Sequence, residues 1–344
     1  MNPIASSSPR MQQVQQVQAH LAAILQHCFQ HQDQAALVVF DRGCELAQVL
    51  TQAYRANLPE ARFLDFSATT PEHIQEEFAQ MQAGDLVVLI QTTNFRLDAF
   101  RIRVELFKKQ LKVIEHPHLG RMEGAEVDIY LDSLAYDANY YRGTGRALKQ
   151  KLDNASGARL VSEGACLYYD SSFENAKLNI GDYTDMPNWG GQFPIGEVFT
   201  EAKNLEAVHG TVKIAVFGDT QFTVNKPAQP ITLIIERGQV VDVRDSTPEF
   251  DEVIANIRAD EEVVWVRELG LGLNPAYSFE RTVKDIGSFE RMCGVHMSLG
   301  AKHGIYGKPN FKRNDGKYHV DVFAVTDQVF IGDELVYQDG AWQA

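Results

Sequence analysis

The chain has 344 residues, enough for about two domains and a sizeable hydrophobic core. Hydrophobic residues make up 44%, as in globular proteins, and the longest apolar runs are far shorter than the roughly 20 residues of a membrane helix. We therefore expect no membrane association. Asp and Glu outnumber Lys and Arg by 46 to 32, and the net charge of -14 repels a phosphate backbone, so we expect no nucleic-acid partner.

The N-terminus and the cysteines indicate the cellular compartment. The opening stretch MNPIASSSPRMQQVQQVQ contains one arginine and no continuous apolar segment, so we expect no secretory signal. The cysteines at positions 28, 44, 166 and 293 form no CxxC pair, which argues against a disulfide framework or a thiolate zinc site. The sequence predicts a cytoplasmic protein with reduced cysteines.

The first half of the chain alternates between helical and strand-like patterns. In chain order, the predicted elements are a helix (11–30), a strand (35–41), a helix (44–54), a strand (61–66), a helix (71–81), a strand (85–91), a helix (97–110), a strand (111–116) and a helix (141–154). This alternation is typical of a parallel sheet. The sequence contains neither GxGxxG nor GxxxxGK[ST] at a strand-to-helix turn, so nucleotide binding is not favoured.

The second half is rich in short strands separated by Gly, Asp and Asn turns. The predicted strands lie in ARLVSEGACLYYD, GTVKIAVFGD, ITLIIERGQVVDVRD and EEVVWVRELGLGL, with a hairpin at RGQVVDV and a helix over 248–259. We therefore predict an α/β N-terminal domain with a parallel sheet over residues 1–157 and an α+β C-terminal domain over residues 158–344.

The C-terminal half also contains side chains with metal-binding chemistry. They are Glu197 in PIGEVFTEA, Glu268 in VRELGLGLNP, His296 in GVHMSLG, and His319 and Asp321 in YHVDVF. Because residues two apart on a strand face the same side, His319 and Asp321 are expected to lie side by side. This mixture of imidazoles and carboxylates suits zinc, manganese, cobalt or iron(II), and it offers enough donors for two ions bridged by carboxylates.

Each of these residues also has an ordinary structural explanation. A salt bridge would satisfy His319 and Asp321, and His296 on an apolar segment is typical of a core histidine. Glu290 beside Arg291 fits a solvated helix face. Several carboxylates in one pocket without a cation repel one another, so the residues either lie apart or surround a positive charge. Nearby glycines, Gly270 among them, would let the backbone approach a crowded site closely.

The blocks GEVFT, ELGLGLNP, GVHMSLG and the HxD strand occur in this order over about residues 190 to 325. They resemble the signature blocks of the aminopeptidase T family of metalloaminopeptidases. The resemblance implies a homodimer whose subunits have an α/β N-terminal domain and a catalytic domain with two divalent ions, zinc, cobalt or manganese. The implied metal ligands are Glu197, Glu268, His296, His319 and Asp321, and Glu290 matches an acidic ligand position of the family. His303, which stands where the family pattern has a tyrosine, is also included among the predicted ligands.

If the resemblance holds, the predicted substrates are the N-termini of short peptides or peptide-like small molecules. Metal-activated water attacks the scissile carbonyl, and Glu197 or Glu290 is the predicted catalytic carboxylate that takes the proton. Asp321 or a glutamate would bridge a pair of ions.

Two other functions stay open. Ring-opening dioxygenases of the dihydroxypyridine type resemble relatives of this family, and they hold one iron(II) through the HxD pair and a histidine at the position of Glu268. The second alternative is a family member that has lost its peptidase activity and serves in natural-product tailoring or in binding. Metal content separates these hypotheses: two zinc-like ions per chain, one iron, or none.

Several further residues are weaker candidates. His116 and His118 have a metal-like spacing, although Pro117 between them favours a loop. Cys293 is a conceivable nucleophile, but a buried neutral thiol is the ordinary alternative. Three aromatic residues fit either a substrate pocket or the core: Trp189, Phe193 and Tyr277.

Overall fold

The structure is a computed structural model of the full chain, and it describes residues 9–97, 100–184, 186, 188–301, 306 and 316–344. The chain forms two compact units. The first comprises the residues up to 138 together with 181–195, and the second comprises 139–180 and 196–344.

The described residues form helices α1 to α8 and several shorter helical turns. In chain order they are α1 (Pro9–Ala23), a π-helical turn (Ile24–Cys28), α2 (Glu45–Asn57), a 3-10 turn (Phe66–Ala68), α3 (Pro71–Gln80), α4 (Ile102–Lys108), a 3-10 turn (Leu119–Arg121), α5 (Ala125–Ser133), α6 (Ala138–Asn154), a 3-10 turn (Leu205–Ala207), α7 (Pro248–Glu261) and α8 (Ile286–Phe289).

The strands are short in the first unit and longer at the centre of the second. In chain order they are β1 (Ala36–Phe40), β2 (Arg62–Asp65), β3 (Leu86–Ile90), β4 (Lys112–His116), β5 (Ala158–Ser162), β6 (Ala165–Tyr169), β7 (Lys177–Asn179), β8 (Gly190–Gln192), β9 (Glu197–Glu201), β10 (Val208–Gly218), β11 (Val224–Asn225), β12 (Ile231–Glu236), β13 (Gln239–Arg244), β14 (Val266–Gly272), β15 (Gly294–Gly300), β16 (His319–Ala324), β17 (Gln328–Ile331), β18 (Glu334–Gln338) and β19 (Ala341–Trp342).

The first unit contains a parallel sheet with the strand order β2-β1-β3-β4-β8. Strands β1, β3 and β4 are buried along their whole length, which explains why their sequences are mostly continuous apolar runs rather than alternating patterns. Thr70 caps α3 by accepting a hydrogen bond from the His73 N–H at 3.3 Å, and Pro71 opens the helix. The predicted parallel α/β arrangement is confirmed.

The chain divides differently from the single boundary predicted between residues 157 and 158. Helix α6 lies almost wholly in the second unit, where Lys149 Nζ donates to the Ala176 carbonyl at 2.7 Å. The chain then returns to the first unit, because β8 pairs in parallel with β4 and the Val113 N–H donates to the Trp189 carbonyl at 2.9 Å. A boundary placed where the sequence becomes rich in strands misses the return of residues 181–195 to the first unit.

The second unit is built on a large antiparallel sheet. Its main path runs β19-β18-β17-β5-β6-β10-β16-β15-β14-β9-β7, with β11 and β12 also pairing with β10, and β13 pairing with β12. The predicted hairpin is confirmed as β12 and β13, and the predicted helix over 248–259 is confirmed as α7. Four neighbouring strands, β16, β15, β14 and β9, carry most of the predicted metal-binding residues.

Within the described residues, no helix combines the length and the apolar character that crossing a membrane requires.

Candidate metal centre

The register of four adjacent strands brings the predicted ligands to one face of the second sheet. Gly272 on β14 lies opposite Glu197 on β9, and Gly270 lies opposite His296 on β15. Ser298, two residues beyond His296, lies opposite Asp321 on β16. Because directly opposed residues and residues two apart share a face, four distant parts of the sequence meet there.

Gly270 makes room for the imidazole of His296. A Cβ atom built on Gly270 would lie 2.1 Å from both Cε1 and Nε2 of that ring, closer than any side chain allows. The imidazole therefore lies against bare backbone of β14. This confirms the expectation that a glycine here permits a close approach.

The first group of candidate ligands, the Glu197 triad, consists of Glu197, Glu290 and His296. One ligand atom from each lies within 4.8 Å of the others. The His296 Nε2 atom lies 3.2 Å from Glu197 Oε1 and 3.6 Å from Oε1 of Glu268. The two buried carboxylates thus approach the same ring nitrogen.

The second group, the Asp321 triad, consists of Glu268, His319 and Asp321, whose ligand atoms also lie within 4.8 Å of one another. The predicted side-by-side pair is confirmed, since His319 Nε2 lies 3.3 Å from Asp321 Oδ1. The His319 Nδ1 atom lies 3.1 Å from the Ala301 carbonyl oxygen, so Nδ1–H donates to it. This bond leaves Nε2 as the nitrogen that faces the carboxylates, which is the usual arrangement of a histidine ligand.

The electrostatics of the cluster favour positive charge. Burial alone lowers the pKa of His296, but the neighbouring Glu197 and Glu268 carboxylates raise it to about 10. Burial also lowers the pKa of His319, and Asp321 beside it raises that pKa to about 10. The pKa of Glu290 rises to about 8, because the group is buried and lies near other carboxylates.

Two buried side chains in the cluster lack well-oriented hydrogen bonds among the described residues. Neither ring nitrogen of His296 has a hydrogen-bond partner of good geometry, and the same holds for Asp321 Oδ1. Leaving such atoms unsatisfied costs roughly 1–3 kcal/mol each. Nitrogen and carboxylate oxygen donors with this property fit a divalent cation of the zinc, cobalt or manganese type.

Comparison with solved structures identifies a known protein with a similar fold. A scan against protein-family models and a search of curated proteins found no match. Among solved structures, the chain is similar to wild-type AmpT from Thermus thermophilus, with a TM-score of 0.56 and 14% sequence identity over 96% of this chain and 99% of that chain. The chain has the AmpT fold.

Within the AmpT fold, this chain places an arginine in the cluster that the sequence did not predict. Arg291 is buried, and its Nη1 atom lies 2.5 Å from Glu197 Oε2 and 3.2 Å from Glu290 Oε1. The solvated helix face considered for Glu290 is wrong, because α8 has only four residues and ends at Phe289. Within this turn, the apolar side chains of Ile286 and Phe289 are buried, which shows that it packs against the interior of the unit.

Tyr306 is a second residue that sequence reasoning missed. It is buried, and its hydroxyl donates to the Phe199 carbonyl at 3.2 Å. Burial, together with the nearby Glu268 carboxylate, raises the pKa of Tyr306, so the hydroxyl keeps its proton. His303, three residues earlier, lies outside the described residues.

The weaker sequence candidates have structural roles. His116 is not in a loop but ends β4, where it is fully buried between two tyrosines in the first unit. Burial raises the pKa of the Cys293 thiol to about 11, which favours the neutral thiol over a nucleophile. Two of the aromatic candidates are buried in the interior, where Tyr277 contacts Phe289 and Phe193 contacts Phe29. Trp189 is half-buried, and its indole N–H donates to the Cys28 carbonyl at 2.9 Å.

Proposed function

We propose that the chain is a metal-dependent aminopeptidase that removes residues from the N-terminus of short peptides or peptide-like small molecules. The observation that carries the proposal is the meeting of Glu197, Glu268, His296, His319 and Asp321 on one face of the second sheet. The AmpT fold supports it, and in the sequence the same residues lie in the blocks that resemble the aminopeptidase T family.

The Asp321 triad and the Glu197 triad are the two candidate positions for a cation. A divalent ion held here would supply Lewis acidity, which polarises a peptide carbonyl and brings the pKa of water from 15.7 to about 7. The protein's part is to fix the donors: β14, β15 and β16 are hydrogen-bonded neighbours, and the Ser298 hydroxyl oxygen accepts from the Glu268 N–H at 3.1 Å. The ligand strands are therefore held in register before a substrate arrives.

Carboxylates also provide for the substrate's free amine. The cluster contains four carboxyl groups, those of Glu197, Glu268, Glu290 and Asp321, whose oxygens can accept hydrogen bonds from an ammonium group. Such a site favours cleavage at the N-terminus over cleavage within a chain.

Glu290 is the better placed of the two candidate catalytic carboxylates. Its side chain is 22% exposed, whereas that of Glu197 is 5% exposed and lies between Arg291 and His296. A group that takes a proton from water and returns it to a leaving amine must reach both, so we assign proton transfer to Glu290 and charge stabilisation to Glu197. Replacing a general base of this kind usually lowers kcat by about 10²–10⁴-fold.

The composition of the Asp321 triad favours a hydrolase over the iron dioxygenase. Non-haem iron oxygenases use two histidines and one carboxylate with open positions. The Asp321 triad has one histidine and two carboxylates, Glu268 and Asp321. A binding protein that has lost the peptidase activity stays an alternative, and a peptidase assay tests it.

The test is elemental analysis of protein purified without a metal-binding tag, followed by a screen of aminoacyl amides. We expect bound zinc, cobalt or manganese and release of the N-terminal residue. His319→Ala should lose at least one ion and the activity while keeping the fold. His209→Ala is the matched control, because His209 pairs with Asp170 at 2.8 Å on the exposed surface of the same unit.

Three outcomes would contradict the proposal: no bound ion, a single iron with no hydrolysis, or unchanged metal content in His319→Ala. The predicted homodimer and cytoplasmic location belong to the same proposal. Sedimentation analysis tests the first and cell fractionation the second.

A further inference from the structure

The two candidate cation positions differ in whether an arginine directly contacts their carboxylates. Arg291 Nη1 lies 2.5 Å from Glu197 Oε2 and 3.2 Å from Glu290 Oε1, so it contacts both carboxylates of the Glu197 triad. Among the described residues, no lysine or arginine ion pair involves the carboxylates of the Asp321 triad, Glu268 and Asp321. One triad therefore already has a cation of its own.

A guanidinium in this position acts against a metal ion in two ways. It is charged at any physiological pH, and its N–H groups occupy carboxylate lone pairs that a metal would need. It also repels a second cation, and this repulsion is weakly screened because the Arg291 side chain is only 8% exposed. The carboxylates of the Glu197 triad are thus neutralised from within the protein.

Neighbouring backbone contacts fix the arginine there. The Arg291 carbonyl accepts from the Asn274 N–H at 2.8 Å, just beyond the end of β14. The next carbonyl, that of Met292, lies against Gly272, where an added Cβ would be 1.9 Å from its oxygen. These close contacts hold the backbone of the turn between α8 and β15 against the end of β14, so the Cα of Arg291 cannot move without moving that end of β14 or the start of β15.

We propose that Arg291 limits the centre to one tightly bound divalent ion, held by the Asp321 triad, and that its guanidinium takes the place of a second cation for the Glu197 triad. This inference rests on the proposed function, since it assumes that the cluster binds a divalent ion. It makes Arg291 a positioning and charge-setting residue rather than a catalytic one. It also replaces the two ions implied by the sequence resemblance with one ion and one arginine.

The test is a titration of metal-stripped protein with Zn²⁺ in competition with a chromophoric chelator, which counts the tight equivalents per chain. We expect one equivalent in the natural protein and two in Arg291→Met, with the second bound at least about tenfold more tightly than in the parent. Arg291→Lys keeps the charge and is the matched control, so it should still bind one. Circular dichroism and thermal unfolding check that each variant is folded.

A second comparison needs no arginine variant. Glu197→Gln and Glu290→Gln alter the triad that Arg291 neutralises, so each should keep one tight equivalent. Glu268→Gln and Asp321→Asn alter the other triad, so each should lose it. This asymmetry is expected even if Arg291→Met does not fold.

The outcomes separate the inference from the proposed function. Two equally tight equivalents in the natural protein would overturn the inference and leave the metallopeptidase standing, as would one equivalent in a folded Arg291→Met. Loss of the tight equivalent in Glu197→Gln would also overturn it. No tight equivalent in any of the proteins would remove the proposed function, and the inference with it.

Discussion

Two buried histidines show how differently the two units use the same side chain. In the first unit, His116 is fully buried, and the hydroxyl oxygens of Tyr54 and Tyr130 lie 2.9 Å from Nε2 and Nδ1. Burial lowers the pKa of His116 to about 3, so the ring is neutral. In the second unit, His296 is equally buried but faces carboxylates, which raise its pKa to about 10.

The difference lies in whether the protein itself completes the network. The Tyr130 hydroxyl donates to the Phe193 carbonyl at 3.2 Å, so it accepts from His116 Nδ1–H, and Tyr54 donates to Nε2. Both ring nitrogens of His116 then have hydrogen-bond partners. Around His296 the ring nitrogens lack well-oriented partners, and like charges crowd together. A closed network indicates a structural role, and an incomplete, charged one indicates a ligand.

The strongest test of this difference between the two units is to neutralise Asp321. Asp321→Asn keeps the shape of the side chain but removes a charge and a strong donor from the Asp321 triad. We expect the dissociation constant for Zn²⁺ to rise by at least about 100-fold, measured by chelator competition, because even outer-shell changes cost 10–100-fold. Asp170→Asn, at the exposed pair with His209, is the control and should leave zinc affinity unchanged. Equal affinities in the two variants would place the ion elsewhere.

In the first unit, the corresponding change should act on stability and not on metal. His116→Ala leaves a cavity and removes the partner of the Tyr54 hydroxyl, so we expect the free energy of unfolding to fall by about 3 kcal/mol. Urea denaturation measures this loss. Zinc content should stay that of the natural protein. A metal deficit in folded His116→Ala would show that the two histidines are not as different as their surroundings indicate.

The same contrast explains how far the sequence could be interpreted alone. The parallel sheet was predictable because β1 and β3 are continuous apolar runs between amphipathic helices. The pairing of His319 with Asp321 was predictable because it depends only on the two-residue period of a strand. Five candidate ligands could be named from their chemistry and from a resemblance, although the strand register that brings them together could not be predicted.

What the sequence could not predict depends on tertiary contacts. Arg291 and Glu290 fit a solvated helix face, and only the four-residue length of α8 turns them inward. Likewise, β8 is a short glycine-rich segment whose membership of the first sheet depends on pairing with β4, which lies far away in sequence. Patterns over ten residues carry no information about either contact.

Gly270→Ala tests whether the crowding around His296 matters. The new Cβ would overlap the imidazole ring, 2.1 Å away, so the ring or β14 must shift. We expect a loss of about 1–3 kcal/mol in the free energy of unfolding, the usual effect of overpacking, together with weaker zinc binding. Gly143→Ala is the control, because nothing lies within 4 Å of a Cβ at that exposed position in α6. There the helix should be stabilised by about 1 kcal/mol. If Gly270→Ala keeps both stability and affinity, His296 is not held where the structure has it.

The last expected effect is the pH dependence of the His116 network. The folded-state pKa of about 3 lies below the ordinary histidine value of 6.5, so the unfolded chain binds the proton more readily. The contribution of His116 to stability is therefore complete above pH 6.5 and is lost progressively as the pH falls toward 3. At pH 5 the loss amounts to about 2 kcal/mol. The groups that face the ring are the hydroxyls of Tyr54 and Tyr130, and burial raises the pKa of Tyr54 further above this range.

The measurement is urea unfolding at pH 7 and pH 5 for the natural protein and for His116→Gln, whose amide does not titrate. All other acids and histidines titrate in both proteins, so the difference between the two pH effects isolates His116. The natural protein should lose about 2 kcal/mol more than the variant between the two pH values. An equal loss of stability in the two proteins would mean that His116 can bind a proton inside the folded protein. The hydrogen-bond network around His116 would then not keep the ring neutral, and it would not distinguish His116 from His296.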